Sequence, residues 1–172
     1  MIGTKSIMSL TLPQIETALA QSGTEYEIWP CDEAMADTAA FCAHYGVEPA
    51  HSVNAILVQD KSDASNHALC LVTALDRLDV NKTVRKRLGA KKASFATPET
   101  TRDVTGMEIG GVTPIGLAPA VPIWIDAKIM ALDYIILGGG NRTSKLKVSP
   151  HIFETITQVE IIPDLSRPQI TD

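Results

Sequence analysis

Several signatures that would assign a chemistry at once are absent from this chain of 172 residues. Its three cysteines (Cys31, Cys42 and Cys70) form no Cys-x-x-Cys pair and cannot all pair with one another. They suit a reducing compartment, where a thiol packs as a small apolar group. The four histidines, His44, His51, His67 and His151, lack ligand spacing, so no metal is expected. Gly138 to Lys145 invites a phosphate-loop reading, but Ser144 stands where glycine precedes the lysine and Leu146 replaces the metal-binding Ser or Thr. The dinucleotide fingerprint fails as well, because Thr143 occupies the place of its third glycine. With no Gly-x-Ser-x-Gly elbow, the standard enzyme signatures are missing, and no cofactor is expected. No N-terminal apolar run approaches the length of a signal or membrane segment. A formal net charge of −5 excludes a general polyanion binder, although a local basic patch remains open. These absences predict a soluble cytoplasmic domain that needs no membrane.

What is present is enough apolar residue, 45% of the chain, for one compact domain over residues 1–172 with its own core. A loosely held arm is expected over about residues 1–10 and a mobile tail over about 163–172. Thr11 and Gln14 read as a capping box for a helix carrying Ile15 and Leu19. Tyr26 to Trp29 reads as a strand, and Asp32 as the cap of a helix running to Gly46. In Ser52 to Val58, Val53, Ala55 and Leu57 share one face of a strand, opposite Asn54, Ile56 and Val58. A polar hairpin loop then leads to a paired strand over Ala68 to Thr73. Asp79 to Leu88 reads as a helix ended by Gly89, and Thr97-Pro98 as the start of another. Val121, Ile123 and Ile125 alternate as a strand whose Pro122 hints at an edge or a bulge. Strands follow around Tyr134 to Leu137 and Leu146 to Val148, then a helix from Ser149-Pro150. The order has no βαβ rhythm, which predicts a mixed α/β fold with a mixed or barrel-like sheet and helices outside.

Two glycine clusters stand out, Gly110-Gly111 with Gly116, and Gly138 to Gly140. Glycine lets another group approach the main chain closely, so two loops could offer peptide groups to one pocket. Peptide N–H donors polarise a carbonyl without titrating. Between Val80 and Pro98 no acidic residue occurs, while Lys82, Arg85, Lys86, Arg87, Lys91 and Lys92 all fall there. That run suits an extended anion such as a nucleic-acid end, or is simply a solvated helix face.

Arg77-Leu-Asp-Val-Asn-Lys, Arg87-Leu-Gly-Ala-Lys-Lys, Pro98-Glu99 and Thr105-Gly106 to Gly116 together resemble the YbaK/EbsC family, related to the editing domain inserted in bacterial prolyl-tRNA synthetases. The resemblance continues through Ile136-Leu-Gly-Gly-Gly-Asn-Arg and Leu146-Lys-Val-Ser-Pro150, covering most of residues 23 to 157. It implies a barrel-like mixed sheet surrounded by helices, and hydrolysis of the ester joining a wrong amino acid to a tRNA 3′ end. It implies no metal, and a ribose hydroxyl or substrate side chain that helps to position the attacking water. Its aminoacyl pocket would be lined by Gly110, Gly111, Val112, Thr113, Pro114 and Gly116, and by Gly138, Gly139, Gly140 and Asn141. Lys82, Arg85, Lys86, Lys91, Lys92 and Arg142 would meet the tRNA. Aminoacyl-tRNA is the implied partner, with an aminoacyl-tRNA synthetase as a further one.

The family usually carries a catalytically important lysine early in the strand Ser52–Val58, and the residue here is Asn54. A carboxamide offers a weaker dipole than an ammonium. Lys61, in the following loop, is too far along to replace it. Three readings follow: a free-standing deacylase for mischarged tRNA such as alanyl- or cysteinyl-tRNA(Pro), a non-catalytic binder of tRNA ends or aminoacyl nucleotides, and a hydrolase for another small carbonyl compound.

Overall fold

Strand β3 (Asp63–Thr73) is the spine of the computed structural model, which describes residues 10–169. Its apolar half alternates cleanly. Leu69 and Leu71 enter one core, while Ala68, Cys70 and Val72 enter a second on the opposite face, as the period of two demands. Antiparallel to β3 lies β2 (Val53–Asp60), which also pairs with the edge strand β5 (Ala93–Phe95). On its other side β3 runs parallel to β6 (Ile123–Asp126), and β6 runs parallel to β9 (Val159–Ile162). The result is a mixed five-stranded sheet, ordered β5-β2-β3-β6-β9.

A three-stranded antiparallel sheet packs across the first core. It joins β1 (Tyr26–Pro30), β8 (Ser144–Val148) and β7 (Ile135–Gly138), with β8 central. A bridge between Ser52 and Ile136 links the two sheets, giving the barrel-like arrangement. Helix α1 (Pro13–Gln21) closes the first core with Ile15 and Leu19, each at most 1% exposed. Full burial of such a side chain stabilises the fold by about 1.5–3 kcal/mol. Helix α2 (Thr38–Tyr45) covers the outer face of the small sheet, packing Phe41 and Cys42 against Ile136 and Cys31. Two further helices, α3 (Arg85–Leu88) and α4 (Pro98–Thr105), flank β5 in sequence.

Several local readings change. Thr11 does not cap α1, which starts after Leu12; its hydroxyl donates to the carbonyl of Gly139 instead. A tertiary acceptor has won over the local one. Asp32 caps only a short turn, Glu33–Met35, before the chain breaks at Ala36 and restarts at Thr38. The segment Asp79 to Leu88 begins as a wide turn, Val80–Val84, before α3, though Val84 and Leu88 do face inward. The hairpin between β2 and β3 is tighter than expected, with Asp60 already opposite Asp63. Pro122 precedes an interior strand rather than marking an edge, because its carbonyl accepts from Leu69 N–H and needs no donor in return.

The tail is the largest correction. Ser166–Pro168 forms β10, antiparallel to β4 (Asp76–Leu78), and Leu165 is 0% exposed in the second core. The N-terminal arm lies outside the described residues except at Leu10, which is exposed. No described helix is long and apolar enough to cross a membrane. Leu165→Ala should cost about 2–5 kcal/mol in urea denaturation, as for a core position; an unchanged midpoint would restore the mobile tail.

Candidate active site

A cavity of about 390 Å³ opens where β2 passes the two glycine loops. Its wall includes Asn54 and Leu57 from β2, Phe95 beside it, Thr38 at the start of α2, and Gly110, Val112, Gly138 and Lys145. So Asn54, Gly110, Val112 and Gly138 are brought together as the sequence pattern suggested. Asn54 accepts a hydrogen bond from the Thr38 hydroxyl through its carboxamide oxygen, which leaves the carboxamide nitrogen as the end able to donate.

The remaining glycine-loop residues do structural work. Gly111, Gly139 and Gly140 use their N–H groups on the carbonyls of Glu108, Ser144 and Gly111. A Cβ at Gly111 would collide with the main chain of Asn141, and one at Gly138 would sit 2.5 Å from the carbonyl oxygen of Gly111. The two loops are therefore interlocked backbone against backbone. Thr113 is fully buried, and Pro114 and Gly116 line a different hollow beside α1. Asn141 ties the second loop by accepting from Thr143 N–H and the Ser144 hydroxyl and donating to Leu10.

Lys145 is the residue that sequence reasoning missed. It sits on β8 opposite Gly138 and Trp29, on the face covered by α2, and is 7% exposed. Its ammonium donates to the carbonyls of Ala36 at 2.7 Å and Gly110 at 2.9 Å, and lies 5.2 Å from the centre of the Phe41 ring. Burial pulls its pKa below the ordinary 10.5, against the attraction of Cys31 and Asp37. Two of its three N–H donors are engaged, and the residue lines the cavity. The signal available was the alternation of β8, which places Leu146 and Val148 in the core and Lys145 and Lys147 on the other face.

Arg142 also departs from its expected role at the surface. It donates to Asp37 Oδ1 at 3.2 Å, to Ile109 at 2.9 Å and to Glu33 at 3.0 Å, so it braces the wall. Within the basic run, Arg85 is turned inward to Asn81 and Ala90. Lys82, Lys86, Lys91 and Lys92 are exposed. Arg87 pairs with Glu160 at 3.6 Å. All three cysteines are buried and free, and burial pushes Cys70 up to about 12. Among the described residues no group of three His, Cys, Asp or Glu stands close enough to hold a metal ion.

Residues 32–155 match the model of the aminoacyl-tRNA editing domain, so the chain belongs to that family. The YwhH protein of Bacillus subtilis (strain 168), itself uncharacterized, is 24% identical over 141 residues, covering 82% of this chain and 87% of its own. Proline–tRNA ligase of Brachyspira hyodysenteriae is 31% identical over 80 residues, covering 46% of this chain and 14% of that much longer enzyme. A crystal structure of a candidate trans-editing enzyme for prolyl tRNA synthetase superposes with a TM-score of 0.74 at 23% identity, over 91% of this chain and 98% of its own. The resemblance to the YbaK group and its fold therefore stands.

Two outcomes follow from this geometry. Gly111→Ala should destabilise by about 1–3 kcal/mol, because a rigid backbone cannot yield to the added carbon; a neutral result in urea denaturation would refute the interlock. The second concerns pH. Native Lys145 releases its proton below 10.5, so the unfolded chain binds more protons in that window, and this residue's contribution to stability rises with pH up to 10.5. The stability of the wild type relative to Lys145→Met should therefore increase as pH rises through the window. A pH-independent difference would count against a destabilised ammonium.

Proposed function

We propose that this protein is a free-standing aminoacyl-tRNA deacylase, hydrolysing the ester of a mischarged tRNA such as alanyl- or cysteinyl-tRNA(Pro). The observation that carries the reading is Lys145, a cation at the wall of the same cavity that holds Asn54, Gly110 and Gly138. The position where the family lysine is expected is neutral, and a positive charge reaches the cavity from another strand.

The chemistry asked of the site is modest. Water adds to the ester carbonyl, the carbonyl oxygen gains negative charge, and the bond to the ribose oxygen then breaks. That oxygen takes up a proton, releasing free amino acid and tRNA. Most glycine-loop amides are committed to the loops themselves, so the third N–H of Lys145 is the donor best suited to the developing charge. In a site screened from water such a donor is worth far more than in solution. The Asn54 carboxamide nitrogen is suited to hold the attacking water or the amino-acid end. Gly110, Val112 and Gly138 supply a close, uncharged wall for a small side chain.

Asn54 also favours a second reading: a module that binds a tRNA end or an aminoacyl nucleotide without turnover. Deacylation of a panel of mischarged tRNAs by the wild type, Lys145→Ala, Asn54→Ala and Asn54→Lys separates the two. The deacylase reading expects turnover by the wild type and a loss of about 10²–10³ in kcat for Lys145→Ala. It would have to be abandoned if no member of the panel were hydrolysed above buffer. Recovery of turnover only in Asn54→Lys would establish the binding module instead.

A further inference from the structure

Phe95 is shared by two cavities. It lines the Asn54–Lys145 cavity and also a larger groove of about 710 Å³ that runs along β4 and β10. This phenyl group, at the end of edge strand β5, is 58% exposed. The groove beyond it is lined by Arg77, Asp79, Asn81, Lys82 and Arg167, together with Ser94 and apolar neighbours. Three cations thus face one carboxylate, in a protein whose net charge is −5.

The arrangement of the arginines points to an anion. Arg77 and Arg167 are directly opposite one another in the β4–β10 ribbon, and both are exposed. Like charges in that register oppose pairing. Arg167 is relieved by Asp79, whose carboxylate lies 3.3 Å away and also accepts from Thr83. Among the described residues Arg77 and Lys82 make no ion pair. Two unneutralised cations beside a tethered third form a cradle for more than one phosphate. Arg167 comes from a strand beyond the 32–155 segment that matches the family, so this chain's own tail completes the groove.

We infer that the single-stranded 3′ end of the RNA lies along the β4–β10 ribbon, its phosphates on Arg77, Lys82 and Arg167, and a base stacked on Phe95 before the ester turns into the Lys145 cavity. This deepens the deacylase reading and rests on it for the identity of the strand. Base stacking on an aromatic ring tolerates any sequence, and a basic groove that tracks the backbone is its usual companion. The exposed ring and the flanking cations supply both parts, in the order that a strand leading into the cavity would meet them.

The test uses the full chain and a short unacylated RNA ending in CCA, labelled at its 5′ end, with fluorescence anisotropy over a range of salt. Arg77→Gln and Arg167→Gln should each weaken binding and lower the magnitude of the log–log salt slope by about 0.7. Phe95→Leu should weaken binding by about 5- to 150-fold with the slope unchanged, since stacking releases no counterions. Arg167→Gln could loosen β10, so Arg77→Gln and Lys82→Gln, on other elements, must show the same slope change with unaltered melting. An RNA that does not bind the wild type, or binds all four variants as it does the wild type, overturns the inference. The probe carries no ester, so the two ideas fail separately. Turnover with unaltered RNA binding in the variants removes the groove and leaves the deacylase. Lost RNA binding in the variants without turnover by the wild type leaves the groove and removes the deacylase.

Discussion

The cavity depends on one buried ammonium. Taking a lysine charge out of water costs several kcal/mol, and only close partners offset it. Lys145 finds the carbonyls of Ala36 and Gly110 and the face of Phe41. Those partners belong to three separate stretches: the turn ahead of α2, the first glycine loop, and α2 itself. One side chain on β8 thus holds the cavity's opposite walls at a fixed spacing. Arg142, three residues earlier, grips the same two neighbourhoods through Asp37, Glu33 and Ile109. The break between Met35 and Thr38 becomes intelligible on this basis: an uninterrupted helix would keep the Ala36 carbonyl for its own ladder and leave the ammonium with one carbonyl partner, Gly110.

What could be read in the sequence was what short-range physics decides. Val53, Ala55 and Leu57 on β2, and Leu69 and Leu71 on β3, declare their faces by alternation alone. Gly46, Gly89 and Gly106 end their helices in the left-handed region, where other residues are strained. The family motifs located the glycine loops and the strand carrying Asn54. What stayed hidden was set by distant partners. A lysine in a strand reads as a solvent-facing residue, and only the docking of α2 buries Lys145. Thr11 and Gln14 fit a capping box, yet the Thr11 hydroxyl meets Gly139, 128 positions away. A polar, proline-containing tail reads as mobile until Leu165 is seen to have a place in the core.

The glycine clusters lie against the cavity for a reason other than the one their pattern suggested. Their pattern suggested bare peptide groups turned toward a ligand. In the fold, the main chain of Asn141 passes where a Cβ of Gly111 would stand, and that of Gly111 where a Cβ of Gly138 would stand, and the loop amides bond within and between the loops. Rigid, interlocked loops still serve a pocket, since they fix the wall to which a substrate must conform. They leave little capacity for stabilising charge, so on the deacylase reading that demand falls on a side chain.

This division bears on why Asn54 and Lys145 can coexist in a site where the family resemblance implies a cation on β2. Two ammonium groups facing one small cavity repel each other. A second charge in one small cavity would push the first further toward its neutral form, and Lys145 is already lowered by burial. A neutral residue at position 54 is then the complement of a charged one at 145, and the Thr38 hydroxyl bond fixes which end of its carboxamide can donate. On the deacylase reading, a cation on β8 facing an oriented carboxamide on β2 would keep one charge beside the ester while changing the direction from which it acts.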